Sequence, residues 1–300
     1  MKLALLIGIN YVGTNAELRG CINDVVNLKE QLVKEFDYKP ENIVTLTDDT
    51  SKKPTAYNII MQLYEMVIKA NNNPLVKEVW FSYSGHGTYI VDRNNDEDDG
   101  KDECLVPIDY TTSGVITDDL LNHVVSMLNS DKKMICIVDA CHSGTSIDLP
   151  FRYIPSGETV VENYFNTVKA DIISISGCLD IQTSADAYGL EQDGGFSGAM
   201  TSSLLYALDK NNYTVSYISL LKDMREYLKS KNFIQIPQLC SSKIITDDMY
   251  FSNKESKITT EPTTTDLTTD TVRSVTKSET NNIRVIPSPY LKNIHVIPRS

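Results

Sequence analysis

Val76-Lys-Glu-Val-Trp-Phe-Ser-Tyr83 continues into Ser84-Gly-His-Gly87, and Met134-Ile-Cys-Ile-Val138 continues into Asp139-Ala-Cys-His-Ser-Gly144. Each stretch is a short, mostly apolar run that ends in glycines and polar residues, a pattern typical of a buried strand followed by a tight turn. In open parallel sheets, reactive groups gather at the carboxyl ends of the strands. We therefore expect the two turns to meet at one edge of a sheet and to carry the functional site.

The segments around these two stretches alternate between strand and helix patterns. Further strands are predicted over residues 2–9, 43–46 and 171–176, and amphipathic helices over residues 22–36, 56–70, 117–128, 197–208 and 216–228. Thr117 is predicted to cap the third of these helices, with Asp118 and Asp119 in its first turn. Residues 88–103 are expected to form a polar, acidic loop, and residues 150–166 an irregular segment. The alternation predicts an α/β fold with a central, mostly parallel β-sheet flanked by helices on both faces.

Composition narrows the class of protein. The formal net charge of −12 comes without a basic stripe, which argues against a nucleic-acid binder and favours a cationic substrate. The sequence contains no secretory leader pattern and no run of apolar residues long enough for a membrane span. The six cysteines form no CxxC pair, so we expect free thiols in a reducing compartment and a cytoplasmic location.

The composition changes near residue 253. Ten threonines fall between Thr259 and Thr280, so residues 1–252 are predicted to form the folded domain and residues 253–300 a flexible tail. The tail contains two similar segments, Asn282-Ile-Arg-Val-Ile-Pro287 and Asn293-Ile-His-Val-Ile-Pro298. They are either a chance duplication or a strand that docks on the domain's own edge, or else a pair of partner-docking motifs.

The two turns contain the groups that peptide hydrolysis requires. A thiol such as that of Cys141 is a weak nucleophile until a neighbouring base such as His86 accepts its proton. Glycines beside His86 let the backbone approach a substrate and supply an N–H donor for the oxyanion. Taken singly, a histidine in a glycine-rich loop is more often structural, and a cysteine after a strand is more often a small buried hydrophobe. The two together favour catalysis.

The combination of motifs resembles the paired signature of metacaspases, relatives of caspases. The histidine of caspases lies roughly 50 residues before the cysteine, a spacing close to that of His86 and Cys141. The resemblance covers about residues 1–250 and implies a caspase-like fold and a cysteine endopeptidase with a Cys–His dyad, whose oxyanion is held by the backbone of Cys141 and Gly87. Further matching segments are Leu6-Ile-Gly-Ile-Asn-Tyr11, Gly20-Cys-Ile-Asn-Asp24, Asp98-Asp-Gly-Lys-Asp-Glu103 and Ser176-Gly-Cys-Leu-Asp-Ile-Gln-Thr-Ser-Ala-Asp186.

The resemblance also implies an acidic pocket for the residue before the cut. The matching positions are Cys21, Asp24, Ser84 and Asp139. Two partly desolvated carboxylates would bind Arg or Lys through charge-assisted hydrogen bonds, so cleavage after Arg or Lys is expected. Considered alone, Asp24 is better explained as an anion in the first turn of a helix, and Asp139 as a turn former at a strand end.

A calcium site is implied in the same way, at Asp102, Asp118, Asp119 and Asp148, with calcium as the activator. The expected partners are protein or peptide substrates, without nucleic acid or membrane, and the expected state is a monomer capable of self-cleavage. Three alternatives stay open: a catalytically silent scaffold of the same fold, a related cysteine hydrolase that cuts after Asn or Asp, and an acidic calcium-binding module without chemistry.

Overall fold

A computed structural model of the chain describes residues 1–91, 101–140, 147–153, 159–161, 168–177, 186–188 and 196–252. Cys141 and the tail at 253–300 lie outside these residues, so both predictions about them stay predictions. The described helices are α1 Cys21–Glu35, α2 Ala56–Asn72, α3 Tyr110–Ser113, α4 Asp118–Val125, α5 Ala199–Lys210 and α6 Tyr217–Ser230, with a 3₁₀ turn at Pro40–Asn42. The described strands are β1 Lys2–Gly8, β2 Ile43–Thr47, β3 Glu78–Ser84, β4 Gly87–Val91, β5 Lys101–Leu105, β6 Ile116–Thr117, β7 Lys133–Asp139, β8 Phe151–Tyr153, β9 Thr159–Val161, β10 Asp171–Ser176, β11 Asp186–Tyr188, β12 Phe196–Gly198, β13 Val215–Ser216, β14 Gln238–Ser241 and β15 Tyr250–Ser252.

The central sheet contains eight strands in the order β2-β1-β3-β7-β10-β14-β8-β9. The five strands from β2 to β10 run parallel, and β14, β8 and β9 are added antiparallel at one side. The predicted fold class, a mostly parallel sheet flanked by helices, is confirmed.

Helices cover both faces of the sheet because its parallel strands are apolar on both sides. Along β1, Leu3, Leu5 and Ile7 pack into a first core with α2 and α4, whereas Ala4 and Leu6 pack into a second core with α1, α5 and α6. The carboxyl ends of β3 and β7 therefore lie in the middle of the sheet, between two packed layers.

Three helices begin at the side-chain caps that their sequences favour. Thr55, Thr117 and Ser216 accept hydrogen bonds from the backbone N–H groups of the first turns of α2, α4 and α6. The predicted cap at Thr117 is thus confirmed. Within the described ranges, no helix is both long and apolar enough to cross a membrane.

Two segments that were expected to be irregular contain strands. Residues 88–103 are not a continuous loop, because β4 and β5 pair antiparallel within them, with Gly87 opposite Leu105. The segment was expected to be a loop because it is acidic as a whole. Its first four residues, Thr88-Tyr-Ile-Val91, are β-branched or aromatic and favour a strand. Similarly, residues 150–166 contribute β8 and β9, which extend the sheet through antiparallel pairing with β14. Such short strands depend on an available edge rather than on local periodicity.

Candidate active site

The strands β3 and β7 end side by side in the sheet. These strands are parallel neighbours, with Ser84 paired to Asp139, and the N–H of Gly85 donates to the carbonyl oxygen of Asp139 at 3.2 Å. His86 follows Ser84 by two residues, just as Cys141 follows Asp139. The chain up to Ala140, which is buried, therefore runs toward the His86 loop.

The imidazole of His86 is held by two groups from the segment after β1. Its Nε2 lies 2.8 Å from the carbonyl oxygen of Ala16. Because a carbonyl oxygen can only accept, Nε2 carries the proton, and Nδ1 is the nitrogen that can take up another. The ring of Tyr11 packs against the imidazole with a centroid distance of 4.8 Å. The two contacts fix the position and the orientation of the imidazole ring.

Two carboxyl groups lie buried against each other beneath this edge of the sheet. Asp24 and Asp139 are only 2% and 3% exposed. Asp24 accepts hydrogen bonds from the hydroxyls of Ser84 at 2.5 Å and Ser197 at 2.6 Å, and from the N–H of Gly198 at 2.9 Å. Asp139 accepts from both the N–H and the hydroxyl of Thr201, at 2.8 and 2.9 Å. The two predicted pocket acids, together with Ser84, do form one cluster.

The first turn of α5 and the residues just before it supply much of this network. A helix N-terminus carries unsatisfied N–H groups and a partial positive charge, so it stabilises the carboxylate of Asp139. Gly198 fits only because it lacks a side chain, since a Cβ there would collide with the carboxylates of both Asp139 and Asp24. The sequence did not predict the roles of Ser197, Gly198 and Thr201. A helix N-terminus can bind an anion, but the local sequence does not show which carboxylate will lie beside it.

Burial raises the pKa of Asp24 well above its ordinary value, and the adjacent charge of Asp139 raises it further. Hydrogen bonds from Ser197, Ser84 and Gly198 oppose this rise in the pKa. The pair therefore binds a proton more readily than two separate aspartates would, and a bound cation would relieve the same repulsion.

The space beside the acids is small among the described residues. The cavity that Asp24, Ser84 and Thr201 help to line measures about 10 Å³, enough for one water molecule. Cys21, the first residue of α1, is also buried near this cluster, one helical turn before Asp24. A guanidinium or ammonium group could enter only if neighbouring groups moved.

The four predicted calcium ligands lie around α4 and β5. Both oxygens of Asp118 accept backbone hydrogen bonds, from Glu103 at 2.8 Å and Asp119 at 2.9 Å. Asp102 directly precedes Glu103, the residue whose N–H donates to Asp118. Burial raises the pKa of the Cys104 thiol, and the nearby carboxylates of Asp118 and Asp102 raise it further. The chain at Asp148 is tied to α4 because its carbonyl oxygen accepts from Asn122 at 3.2 Å.

The chemistry of these donors suits a hard cation, because all four are carboxylates. Across the described ranges, however, no three His, Cys, Asp or Glu side chains converge into a group that could hold a metal ion. Asp102 and Asp118 are thus brought near each other, whereas the set of four is not assembled around one point.

Known proteins resemble the chain at two levels. A family model for the metacaspase peptidase C14 domain matches residues 2–150. In overall structure, the chain resembles a crystal structure of a protein from Geobacter sulfurreducens with a TM-score of 0.57 and 25% sequence identity, covering 84% of this chain and 97% of that one.

Curated relatives are also similar over most of the chain. Metacaspase-1 of Yarrowia lipolytica is 38% identical, with 80% of this chain and 61% of the relative covered. Metacaspase-1 of Cryptococcus neoformans is 35% identical, with 83% and 64% covered, so the chain spans less than two thirds of these fungal relatives. Metacaspase-2 of Trypanosoma brucei brucei is 37% identical, with 84% of this chain and 76% of the relative covered. With this agreement in sequence and fold, the chain belongs to the metacaspase family.

Proposed function

We propose that this protein is a cysteine endopeptidase in which Cys141 is the nucleophile and His86 the base. Membership of the metacaspase family, whose domain is classed with C14 peptidases, supports the activity. The observation that carries the proposal is the pairing of Ser84 with Asp139, because it starts the two turns from adjacent points. The hydrogen bond between His86 Nε2 and Ala16 leaves Nδ1 to accept the thiol proton.

Cleavage after Arg or Lys is the second part of the proposal. Asp24 and Asp139 form a buried pair of carboxyl groups whose repulsion a cationic side chain would relieve. The same pair would repel an acidic side chain. Since the adjacent cavity holds only about one water, we expect substrate entry to require movement of neighbouring groups.

Activation by calcium is the third part. Asp102, Asp118, Asp119 and Asp148 would hold the ion and order the segments that they belong to. Support comes from the proximity of Asp102 and Asp118 and from the link between α4 and Asp148. Isothermal titration with calcium should show binding that Asp118→Asn weakens at least tenfold, whereas Asp223→Asn on α6 should leave it unchanged.

One experiment tests the activity and its specificity together. Fluorogenic peptides that differ only in Arg, Lys, Asp or Asn before the cut are incubated with the protein, with and without calcium, beside Cys141→Ala. We expect hydrolysis of the Arg and Lys peptides alone, and none by the variant. Equal hydrolysis by Cys141→Ala would exclude the dyad, and cleavage only after Asp or Asn would exclude the acidic pocket. A wild-type protein that cleaves none of them would point to the catalytically silent scaffold.

Self-cleavage, a monomeric state and a cytoplasmic location complete the proposal. Mass spectrometry after incubation with calcium should find new termini after Arg or Lys in the wild-type protein and none in Cys141→Ala. Light scattering during gel filtration should give the mass of one chain, 33.6 kDa. A dimer would contradict the monomer without affecting the proposed chemistry.

A further inference from the structure

A tyrosine hydroxyl is inserted into the hydrogen-bond ladder where β4 begins. One bond of the ladder is ordinary, because the N–H of Val106 donates to the carbonyl oxygen of His86 at 3.1 Å. The reciprocal N–H of His86 donates instead to the hydroxyl oxygen of Tyr11 at 3.0 Å, and that hydroxyl donates to the carbonyl oxygen of Val106 at 2.6 Å. Tyr11 thus replaces one direct backbone bond with a bridge at the histidine itself.

A second tyrosine hydroxyl completes the bridge. The hydroxyl of Tyr83 lies 2.8 Å from the carbonyl oxygen of His86, 2.9 Å from that of Val106 and 3.0 Å from the hydroxyl of Tyr11. Each hydroxyl has a single proton. We assign the proton of Tyr11 to its shortest contact, Val106, which leaves that of Tyr83 for the His86 carbonyl. Burial raises the pKa of both tyrosines, so both remain donors at neutral pH.

These bonds fix the direction of the N–H of Gly87. The carbonyl of His86 and the N–H of Gly87 belong to one planar trans peptide, so they point in opposite directions. Because the carbonyl points toward Val106 and Tyr83, the N–H of Gly87 points away from β5. The resemblance to metacaspases implies that this N–H is an oxyanion donor, and such donors are effective when their direction is set in advance.

The two tyrosine hydroxyls restrict the backbone and side chains around them. Tyr11 has a φ of 51°, a left-handed conformation that is uncommon for a bulky residue. Both tyrosines are 1% exposed. Gly85 is confined to glycine by them, because a Cβ there would lie 2.7 Å from the hydroxyl of Tyr83 and 3.0 Å from that of Tyr11.

We propose that Tyr11 and Tyr83 are positioning residues, whose hydroxyls hold the backbone of His86 so that the N–H of Gly87 faces the developing oxyanion. The proposal rests on the function proposed above. Neither tyrosine is expected to touch the substrate. Their removal should therefore impair the chemical step and leave substrate binding largely intact.

The test removes one hydroxyl at a time, as Tyr11→Phe and Tyr83→Phe. Tyr38→Phe is the matched control, because Tyr38 is equally buried but donates to Glu78 at 3.0 Å, in the second core. For the Arg peptide, we expect each test variant to lose about 10- to 100-fold in kcat, with KM within about twofold of the wild type. The control should stay within about twofold in both constants.

A second readout separates positioning from loss of the thiol. Alkylation of Cys141 by iodoacetamide, followed by mass spectrometry, requires the thiolate but no oxyanion donor. We expect Tyr83→Phe to alkylate within about threefold of the wild-type rate while its hydrolysis falls. Test variants that hydrolyse as fast as the wild type would overturn the inference, as would an equal loss in Tyr38→Phe. Absence of hydrolysis by the wild-type protein would instead remove the proposed function, and this inference with it.

Discussion

At the scale of single residues, burial of the carboxyl pair Asp24 and Asp139 is expected to cost stability. Both groups are almost fully buried, and their mutual repulsion is only partly offset by donors from Ser84, Ser197 and Thr201. A site that binds a cation is expected to keep this repulsion, because the bound cation then relieves it. Two carboxyl groups that were already neutralised would have no repulsion for a substrate to relieve.

Asp24→Asn should stabilise the protein at alkaline pH. The folded-state pKa of Asp24 is raised, so the stability that protonated Asp24 contributes is present at low pH and is lost as pH rises through the folded pKa. Asparagine does not titrate, so the variant does not lose this stability. Its free energy of unfolding should exceed that of the wild-type protein by about 1 kcal/mol or more near pH 8, and the difference should shrink toward about pH 5. Urea titrations at both pH values measure this difference in the free energy of unfolding. The control is Asp49→Asn, because Asp49 is exposed. A constant difference would contradict the raised pKa.

Gly198→Ala should damage the acidic pocket directly. The added methyl group would collide with both carboxylates, so we expect a lower melting temperature and a KM for the Arg peptide at least tenfold higher. Gly114→Ala provides the comparison, because its φ of 74° makes alanine unfavourable at a distance from the acids. It should lower the melting temperature and leave KM unchanged. An unaltered KM in Gly198→Ala would show that the acids do not bind the substrate.

At the scale of elements, the first turn of α4 contains both a helix cap and two of the proposed calcium ligands. Thr117 caps the helix through the N–H of Leu120 at 3.3 Å, and the next two residues are Asp118 and Asp119. Ser216 caps α6 in the same way, through the N–H of Ser219 at 3.3 Å, without an acid in its first turn. The two caps are therefore chemically matched, but only the cap of α4 is succeeded by acidic residues.

Thr117→Ala and Ser216→Ala should each lower the free energy of unfolding by about 1 kcal/mol, the usual cost of losing a cap. Only Thr117→Ala should also weaken calcium binding, because fraying of the first turn releases Asp118 and Asp119. Chemical denaturation and calorimetric titration of calcium measure the two effects. Equal calcium affinity in both variants would show that the first turn of α4 does not contribute to calcium binding.

At the scale of the whole molecule, the sheet lies between two cores that share no helix among the described residues. Trp80, the single tryptophan of the chain, is fully buried in the second core, where its ring contacts Phe36, Tyr38 and Phe251. Leu63 of α2 lies in the first core and is also fully buried. Because the strands between them are common to both cores, we expect the layers to unfold together.

Leu63→Ala should lower stability by about 2–5 kcal/mol through lost burial and a cavity. Trp80 fluorescence and far-ultraviolet circular dichroism should report the same transition, although the substitution lies on the other face of the sheet. Leu204→Ala, in the second core, is the matched substitution. Two separate transitions in Leu63→Ala would show that the cores unfold independently.

Much of the architecture was predictable because it depends on local patterns. The buried runs before Ser84 and Asp139 predicted β3 and β7, and Thr117 predicted the start of α4. The strands within residues 88–103 and 150–166 were missed, because a three- to five-residue strand becomes stable only through its partner.

The sequence by itself predicted the five parallel strands of the sheet and five of the helices, since apolar periodicity is a property of neighbouring residues. Its short motifs made His86 a candidate, and the resemblance to metacaspases added Asp24 and Asp139. Only the tertiary structure decided which groups surround them. Ser197 bonds to Asp24 across 173 residues of chain, and Tyr11 to the N–H of His86 across 75. Such contacts arise when layers pack against one sheet edge, and the local sequence does not specify which distant donor will lie there.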